Sequence, residues 1–490
     1  MKRTILKKLT ACLCLCAVLS GALSVPVGAA SFQDVPSNHW AADAIDRCAA
    51  QGWFQGKTAN TFGVGQPMTR AGFAVALSRF FGWQSSETYY QIFSDVPQGA
   101  WYEPALRACY EHGAVTRQTS DFRPGEPITR EELAVMLIRA LGYGPIAGLA
   151  ESDTLPFRDV STSKGHIVMA YELGLVSGTK NKLFVPDRYA TREQAAVILS
   201  RLYDKLHPAQ TANEAMVLLR SGEEAEDLSG YQTIVLMEGN LAGGPKPRLT
   251  LNSSHTQEQI KETAKASGQT VLLGISGQSG VLKSTTAAAT AVAEALTDSS
   301  YDGVYLSIIP SAENSDALAA FVQALRAAVP EKKLYVAASA PSRGEMTPDY
   351  QALGKAADRI VLQVAGYVDT DSAVPVYAME PLETVYYALS ALNDQIPGEK
   401  LALLLTTEGR GRKSTGKPTT FNGDSVAALE AQGHAYYSDR YACAYLETKD
   451  TVVWYLNEKA LEARQQLLRC FGVSSYCLTT PNGTLQAQES

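Results

Sequence analysis

Hydrophobic residues in the first 210 positions recur at the three- and four-residue spacing of amphipathic helices. One stripe consists of Trp40, Ala44, Ile45 and Cys48. Its spacing predicts a helix over residues 39–51, with Gly52 as the stop signal. A second kind of stripe consists of Leu133, Met136, Leu137 and Leu141. It predicts a helix that opens at Thr129, a residue type favoured as an N-cap.

These predicted helices belong to a unit that occurs three times. Each copy opens on Phe-x-Asp-Val, at residues 32–35, 93–96 and 157–160. Each copy later reaches a Thr-Arg pair, and these pairs are Thr69-Arg70, Thr129-Arg130 and Thr191-Arg192. A phenylalanine lies between the two markers in every copy, at Phe62, Phe122 and Phe184. Markers in fixed order at a near-constant period indicate tandem copies of one supersecondary unit, and none occurs after residue 210.

This order of markers resembles the S-layer homology (SLH) domain. The resemblance assigns three repeats, to residues 31–83, 90–144 and 155–206. It implies an all-α module in which the three repeats fold together with pseudo-threefold symmetry. It also implies attachment to the cell surface, through binding to an anionic, often pyruvylated, secondary polysaccharide that is itself attached to peptidoglycan.

The arginine of each Thr-Arg pair is a candidate for ligand contact. A helix N-terminus presents free amide N–H groups, and a guanidinium group forks onto a carboxylate such as that of a pyruvyl ketal. The binding residues that the resemblance implies are Arg70, Arg130 and Arg192, with Asp34, Asp95 and Asp159 nearby and Trp40 and Trp101 as sugar-stacking rings. The alternative is an internal Arg–Asp bridge within each repeat, which we favour for the aspartates.

The three copies differ at these positions. The acid after the Thr-Arg pair is Glu131 in repeat two and Glu193 in repeat three, but repeat one has Ala71. Repeat three has His166 in place of the tryptophan. One or two of the three grooves are therefore expected to bind no ligand.

After a polar linker at 207–229, short apolar runs alternate with helical stretches across residues 230–485. The candidate strands are 233–237, 271–275, 303–308, 334–338, 359–364, 401–405, 451–454 and 474–478. The candidate helices are 256–267, 284–297, 314–329, 380–394 and 458–471. This alternation predicts parallel strands with crossover helices, and eight strands suit an α/β (β/α)8 barrel of the TIM type.

The order of these elements resembles glycoside hydrolase family 18, the chitinase-like barrels. The run Val271–Gly277 looks like the family's third strand, and Tyr301-Asp302-Gly303-Val304 looks like the start of its catalytic strand. The family's catalytic motif, Asp-Gly-x-Asp-x-Asp-x-Glu, keeps only Asp302 and Gly303 here. Tyr305, Ser307 and Ile309 occupy its carboxylate positions. Isoleucine cannot donate a proton to a glycosidic oxygen, so we expect a barrel without this catalytic acid.

Other residues keep two alternatives open. Carboxylates near predicted strand ends are Glu238, Glu313, Asp369 and Glu408, and relocation of catalysis to them would give a glycosidase that remodels peptidoglycan or chitin-like glycans. The candidates for glycan binding at the barrel are Tyr367, Trp454 and Asp302, although the two rings equally suit packing. The basic run Gly409–Lys413 is predicted to be a loop, either solvated or in contact with an anionic glycan. A purely structural S-layer component is the remaining alternative.

Composition narrows the class of protein. A basic start, an apolar run over Leu9–Leu23 and small residues at 27–29 predict a secretory signal peptide over residues 1–30, with no later stretch suited to spanning a membrane. The net charge of −7 argues against nucleic acid as a partner. Five of the eight cysteines follow residue 30, and an odd number without dense spacing is no disulfide framework, although Cys470 and Cys477 remain a pairing option. We expect no cofactor and no metal.

Overall fold

The computed structural model describes residues 32–150, 155–208, 214–225, 227–297, 299–310, 315–342, 348–413 and 416–481. The predicted signal peptide lies outside these described residues. The chain divides into two compact units. The first takes in the described residues of Met1–Leu141, Leu155–Ser163 and Gly174–Arg201, and the second those of Gly142–Thr154, Lys164–Leu173 and Leu202–Ser490.

The helices of the described residues are numbered in chain order. They are α1 (Ala42–Ala50), α2 (Arg70–Phe81), α3 (Glu103–Glu111), α4 (Arg130–Ala140), α5 (Gly144–Ala150), α6 (Lys164–Glu172), α7 (Arg192–Leu206), α8 (His255–Ala266), α9 (Thr285–Thr297), α10 (Ser315–Ala328), α11 (Tyr350–Ala356), α12 (Leu382–Leu392), α13 (Gly423–Glu430) and α14 (Glu458–Cys470). Short 3₁₀ turns span Ser279–Ser284 and Gly398–Lys400.

The first unit is helical, as the apolar stripes predict. Thr69 caps α2 by accepting from the Gly72 amide, and Thr129 and Glu132 form a reciprocal capping box at α4. The chain just before α2, α4 and α7 forms a closed ring of backbone hydrogen bonds. Met68 N–H donates to Ala190 O at 2.8 Å, Ile128 N–H to Met68 O at 2.8 Å, and Ala190 N–H to Ile128 O at 2.9 Å. Each repeat therefore donates to one neighbour and accepts from the other, which gives the unit its pseudo-threefold arrangement.

The strands of the second unit are also numbered in chain order. They are β1 (Glu214–Arg220), β2 (Thr233–Ala242), β3 (Arg248–Leu251), β4 (Thr270–Gly277), β5 (Gly303–Ile308), β6 (Lys333–Ser339), β7 (Arg359–Gln363), β8 (Tyr367–Asp369), β9 (Val376–Ala378), β10 (Leu401–Leu405), β11 (Gly409–Lys413), β12 (Thr419–Phe421), β13 (His434–Ser438), β14 (Cys443–Glu447), β15 (Thr451–Tyr455) and β16 (Ser475–Leu478).

Eight parallel strands close into a barrel, in the order β1-β2-β4-β5-β6-β7-β10-β16 and back to β1. Strand β3 pairs in antiparallel sense with the carboxyl-terminal end of β2, from Gly239 to Ala242. The predicted (β/α)8 architecture is confirmed, with two corrections to its strands. The stretch predicted as a linker at 207–229 contains β1, whose apolar residues bury themselves between β2 and β16. The predicted strand 451–454 lies outside the barrel.

That strand, β15, belongs to a five-stranded antiparallel sheet inserted between β10 and α14. The strand order of the sheet is β12-β11-β15-β14-β13. One face packs on α13 through a cluster that includes Val426, Leu446, Val453 and Tyr455. An apolar run of five residues suits either a barrel strand or a half-covered sheet strand, so its length and composition do not tell the two apart.

The barrel interior is filled by side chains rather than open. Its central cluster consists of Met216, Val235, Leu272, Tyr305, Tyr335, Ala337, Val361, Ala402 and Cys477. At the amino-terminal end of the strands a polar group closes the barrel: Glu214 accepts from the Thr233 hydroxyl at 2.6 Å and pairs with Arg359 at 2.5 Å. A ligand site at the barrel is therefore expected at its carboxyl-terminal mouth, where the strand-to-helix connections meet.

The second unit also includes α5, α6 and the end of α7, which the sequence prediction assigned to the repeats. Tyr143 is 1% exposed, and its hydroxyl accepts from the Gln466 amide of α14 at 3.2 Å. Lys205 donates to the Cys470 carbonyl at 3.0 Å, and Glu172 of α6 accepts from the Tyr386 hydroxyl of α12. These contacts cover the outer faces of α12 and α14.

Candidate functional site

The aspartate of each Phe-x-Asp-Val marker binds backbone, not a guanidinium group. Asp34 accepts from the amides of Phe62 at 2.7 Å, Gly63 at 2.7 Å and Val64 at 3.0 Å. Asp95 and Asp159 accept in the same way from the corresponding amides of their own repeats. Burial alone would raise the pKa of Asp34, but these amide bonds outweigh it and hold the pKa below its ordinary value. The predicted Arg–Asp bridge is therefore wrong, and the aspartates fix the loop that carries the phenylalanine.

The arginine of each Thr-Arg pair reaches into the next repeat. Arg70 Nε donates to Phe122 O at 2.7 Å, Arg130 Nε to Phe184 O at 2.8 Å, and Arg192 Nε to Phe62 O at 2.9 Å. Each guanidinium group also lies over the ring of the same phenylalanine, at 4.7, 4.5 and 4.8 Å from its centroid. The three contacts close a circle from repeat one to two, two to three and three to one. We call this set of three Arg–Phe contacts the arginine clasp.

The three arginines differ in what else they contact. Arg130 and Arg192 each donate a second bond at 2.7 Å, to Ser177 O and Gln55 O. Arg70 instead pairs with Glu132 at 2.6 Å. Burial lowers the pKa of all three guanidinium groups. Most of the donors that the sequence assigned to a ligand are therefore used to join repeats.

A cavity of about 280 Å³ lies beside Arg70 in the first unit. Its lining combines Arg70, Arg123 and Arg139 with Glu131 and Glu132, and Thr116 adds a hydroxyl. Arg123 pairs with Glu132 at 2.7 Å and with Glu126 at 3.0 Å, so acids already oppose part of the positive charge. The groove can hydrogen-bond a hydroxyl-rich ligand and can offer cations to an acidic one.

Trp40 and Trp101 are the two most exposed large aromatic side chains among the described residues of the helical unit. Their exposed fractions are 61% and 69%. Most tryptophans bury much of their surface, so two open indole rings at matching positions in repeats one and two need a reason. His166, at the corresponding position of repeat three, is half-buried. The two tryptophans stay predicted sugar-stacking residues.

The structure places the three substituted catalytic positions along β5. Tyr305 is 1% exposed inside the barrel. Ser307 lies two residues further along on the same face of the strand and is half-buried, and Ile309 follows the strand with 53% of its surface exposed. Asp302 lies at the opposite end of the barrel. It accepts from the Val271 amide at 2.8 Å and pairs with Lys265 at 3.2 Å, so its predicted place in a glycan site is wrong.

The other candidate acids have different partners among the described residues. Glu238 is 3% exposed and accepts from the hydroxyls of Ser253 and Tyr301, both at 2.6 Å. Asp369 accepts from its own turn, and those bonds lower its pKa. Glu408 pairs with Arg220 at 2.9 Å. Glu313 lies outside the described residues.

A cavity of about 530 Å³ lies at the barrel mouth, between the ends of β7 and β10 and the inserted sheet. Its charged lining residues are Glu380, Glu408 and Arg410, with Thr406, Thr419 and Thr420 supplying hydroxyls. Glu380 is 5% exposed and accepts from the Thr406 hydroxyl at 2.7 Å and its amide at 3.2 Å. Burial raises the pKa of Glu380, against the opposing effects of those bonds and of Arg464. We call this cavity the mouth pocket.

Sequence reasoning missed Glu380 and Arg464. Arg464 is fully buried and donates to the carbonyls of Met379 at 3.0 Å, Glu380 at 2.7 Å and Ala442 at 2.6 Å. Glu380 has a φ of +38°, a strained value for a residue with a side chain. A lone arginine in an amphipathic helix gives no sequence signal for such a role, since arginines there are ordinarily solvated.

The two predicted stacking rings have different surroundings. Trp454 is 3% exposed, donates from Nε1 to Pro375 O at 2.8 Å and stacks on Tyr445 at 4.6 Å, so its predicted contact with a glycan is wrong. Tyr367 is 41% exposed, follows Gly366, which lines the mouth pocket, and stacks on Tyr441 at 5.3 Å. Its binding role stays a prediction. The basic run Gly409–Lys413, predicted as a loop, is strand β11.

Other features can be stated for the described part of the chain. All five cysteines after residue 30 are buried thiols there, Cys470 and Cys477 included. The described residues contain no cluster of three or more potential metal ligands. No described helix has the length and apolar character needed to cross a bilayer.

The three repeats match a known family. The S-layer homology domain family model matches residues 31–74, 92–134 and 156–196. The amylopullulanase of Thermoanaerobacterium thermosulfurigenes is 32% identical over 181 residues, which cover 36% of this chain and 10% of that protein. An S-layer protein of Bacillus thuringiensis subsp. finitimus is 29% identical over 202 residues, covering 40% of this chain and 24% of that protein. The chain thus spans less than a quarter of the length of these curated relatives.

The solved structures similar to this chain include a chitinase from Chromobacterium violaceum. It is 15% identical, with a TM-score of 0.47, and the match covers 56% of this chain and 96% of the chitinase. The barrel itself is defined by its own strand order and closure.

Proposed function

We propose that this chain, in which three SLH domains precede a chitinase-like eight-stranded parallel barrel, is a secreted bacterial surface protein held non-covalently on the cell wall by those domains. The observation that carries the proposal is the threefold match to the SLH family, supported by the S-layer and cell-surface proteins among the relatives. The wall partner is an anionic, pyruvylated secondary polysaccharide attached to peptidoglycan. These domains hold the barrel at the cell surface.

The anchor binds through Trp40 and Trp101 and through the groove beside Arg70. An open indole ring stacks on the apolar face of a pyranose without needing charge. The neighbouring groove supplies Arg70, Arg123 and Arg139 for a carboxylate. Arg130 and Arg192 contribute indirectly, because the arginine clasp sets the spacing of the repeats.

The barrel binds a glycan without cleaving it. Retaining and inverting glycosidases both need a carboxylic acid that protonates the leaving oxygen. The corresponding position holds Ile309; of the other candidate acids, Glu238 is buried and Glu408 is paired with Arg220. Incubation of the full chain with chitooligosaccharides and with purified peptidoglycan should release no new reducing ends. Release that a single carboxylate substitution abolishes would establish an enzyme instead.

Wall binding is tested with purified sacculi, intact or stripped of their secondary polymer. Retention of the full chain should fall when the polymer is removed. The double variant Trp40→Ala/Trp101→Ala should weaken retention on intact sacculi, and Tyr189→Ala, which truncates another exposed ring of the same unit, serves as the matched control. Undiminished retention of the double variant would remove the tryptophans from the site.

A further inference from the structure

The inserted antiparallel sheet ends on an open edge strand, β13. This strand pairs with β14 on one side, and among the described residues the sheet has no strand on its other side. Ala435 and Tyr436, in the middle of β13, are exposed. An open edge presents N–H and C=O groups that can pair with another strand. The edge of β13 is therefore a candidate surface for association.

The hydrogen-bond pattern of the sheet shows which backbone groups face that open side. Thr448 N–H donates to Thr451 O at 2.9 Å in the hairpin between β14 and β15, so these two residues form a hydrogen-bonded pair. Hydrogen-bonded and non-hydrogen-bonded pairs alternate along antiparallel strands. Tyr445, three residues before Thr448, therefore directs its backbone groups to β13, where its partner is Tyr436. Tyr436 thus uses its own backbone groups inside the sheet.

The two neighbours of Tyr436 have the opposite orientation. Ala435 and Tyr437 direct their N–H and C=O groups away from β14, to the open side. When a second copy of β13 lies antiparallel with Tyr436 on the two-fold axis, Ala435 faces Tyr437 of the second copy, and each such pair exchanges two hydrogen bonds. Registers centred on Ala435 or on Tyr437 oppose fewer residues of the strand. The edge is therefore complementary to itself in one register.

The sequence of β13 contains none of the features that usually protect an edge. Its residues, His434 to Ser438, include no lysine, no proline and no acidic residue. Asp439, which follows the strand, pairs with Lys459 at 3.6 Å. At the other edge of the same sheet, β12 has only the three residues Thr419–Phe421, and a short edge strand is itself a protection. Only the β13 edge is thus suited to pairing.

The side chains continue the same pattern across the two-fold axis. Trp454, Tyr445 and Tyr436 form a ladder of stacked rings, with centroids 4.6 and 5.2 Å apart. Tyr436 is the last ring of the ladder and is 45% exposed. In the centred register the two Tyr436 residues form a non-hydrogen-bonded pair, in which side chains lie closer than in a hydrogen-bonded one. The second copy therefore places an identical ring beside the exposed one, where aromatic pairs add stability.

We propose that β13 is an interface for a second copy of this chain, and that two inserted sheets join there, edge to edge, about a two-fold axis through Tyr436. Ala435 and Tyr437 supply the backbone hydrogen bonds, and the paired Tyr436 rings join the two aromatic ladders. A symmetric contact of this kind closes on itself and gives a dimer rather than an open chain of copies.

The size of the contact sets the conditions in which it forms. A standard interface uses about 20–30 residues from each side, whereas β13 offers five. Association in dilute solution is therefore expected to be weak and to become favourable where copies are concentrated. The proposed attachment to the cell wall concentrates copies in that way. The inference goes beyond the proposed function, and its test in solution does not depend on wall binding.

Disulfide trapping of the full chain tests the register. In the proposed dimer, the thiols of Tyr436→Cys face each other with Cα atoms about 4.5 Å apart, within reach of a disulfide. The thiols of His434→Cys, on the same face of β13, lie roughly 13 Å apart along the strands, too far for one. The five native thiols after residue 30 are buried, and serine replaces the earlier three in every variant, namely Cys12, Cys14 and Cys16.

The readout is the rate of dimer formation under mild oxidation, followed by non-reducing electrophoresis. Tyr436→Cys should form the cross-linked dimer at least about tenfold faster than His434→Cys, because only its thiols are within bonding distance. Equal rates for the two variants, or no dimer from Tyr436→Cys, would overturn the proposed interface.

Sedimentation equilibrium tests the contact without a covalent bond. The average mass of the parent chain should rise with concentration. Tyr436→Lys, which places like charges opposite each other, should stay monomeric over the same range. Leu251→Lys, at another exposed apolar residue of the same unit, is the matched control and should associate as the parent does. Thermal unfolding shows that each variant is folded. A parent chain that stays monomeric, or a Tyr436→Lys chain that associates like the parent, would refute the dimer.

Discussion

Replacing an arginine of the arginine clasp with alanine should lower the free energy of unfolding of the helical unit. Arg130→Ala removes hydrogen bonds to Phe184 O at 2.8 Å and Ser177 O at 2.7 Å, together with a ring contact at 4.5 Å. It leaves the backbone ring through Met68, Ile128 and Ala190 in place. The perturbation is therefore specific to one junction between repeats.

The magnitude follows from these three contacts. A hydrogen bond from a charged donor contributes about 1.5–3 kcal/mol, and a half-buried cation–π contact about 1 kcal/mol. Ser177 is exposed, so water replaces the lost donor at its carbonyl and reduces that part of the loss. We expect a net loss of about 3 kcal/mol, which for a unit of this size lowers its Tm by roughly 6–12 °C.

Urea unfolding followed by tryptophan fluorescence measures the loss. The tryptophans of the helical unit are Trp40, Trp53, Trp83 and Trp101, so its transition dominates the signal over that of Trp454. Arg117→Ala is the matched control, because Arg117 is exposed in the same unit and should change stability by less than about 0.5 kcal/mol. A loss at Arg130→Ala no larger than the control's, accompanied by lost wall binding, would refute the clasp and favour direct ligand contact.

Three further outcomes are expected. The folded-state pKa of Asp34 lies below its unfolded value, so the carboxylate's contribution to stability is present above the unfolded pKa of about 4 and is lost as pH falls through the folded pKa. In urea unfolding, Asp34→Asn should therefore reduce the decrease in the free energy of unfolding at acidic pH. The Tyr305 hydroxyl is buried without a partner among the described atoms, so Tyr305→Phe should stabilise the barrel by about 1 kcal/mol in thermal unfolding, whereas Tyr335→Phe, which loses its bond to Glu214, should destabilise it. A fragment 142–490 should be monodisperse by size-exclusion chromatography, and a fragment 207–490, which lacks the cover on α12 and α14, should aggregate; equal behaviour would contradict that cover.

Local patterns in the sequence were sufficient for the repeat architecture. Apolar spacing and threonine caps act within one or two turns, so α2 and α4 begin where the Thr-Arg pairs predict. Local patterns of this kind could not predict the partner of each arginine. Arg192 contacts Phe62 from the far end of the module, and only closure of three repeats brings them together.

The barrel was predicted from alternation, and the errors came from what alternation does not encode. Strand β1 follows a polar stretch, which hid the apolar run Ala215–Leu219. The β15 run has the composition of a barrel strand but pairs antiparallel with β11 and β14. Trp454 was consequently placed at the barrel and proves to be the buried support of the inserted sheet.

The residues of the mouth pocket could likewise not be predicted together from the sequence. Its residues come from connections after β7 and β10 and from the inserted sheet, which the sequence reading did not recognise as a separate layer. The basic run containing Arg410 is predicted to be a loop, either solvated or in contact with an anionic glycan, but its strand geometry depends on pairing with β15.

Retention of the full chain on sacculi, with and without their secondary polymer, tests the anchoring account most directly, because the two preparations differ only in the polymer that the SLH domains are proposed to bind. Three SLH domains that grip the polymer predict strong retention on intact sacculi and release from stripped ones. Equal retention on both, or none on intact sacculi, would contradict the account.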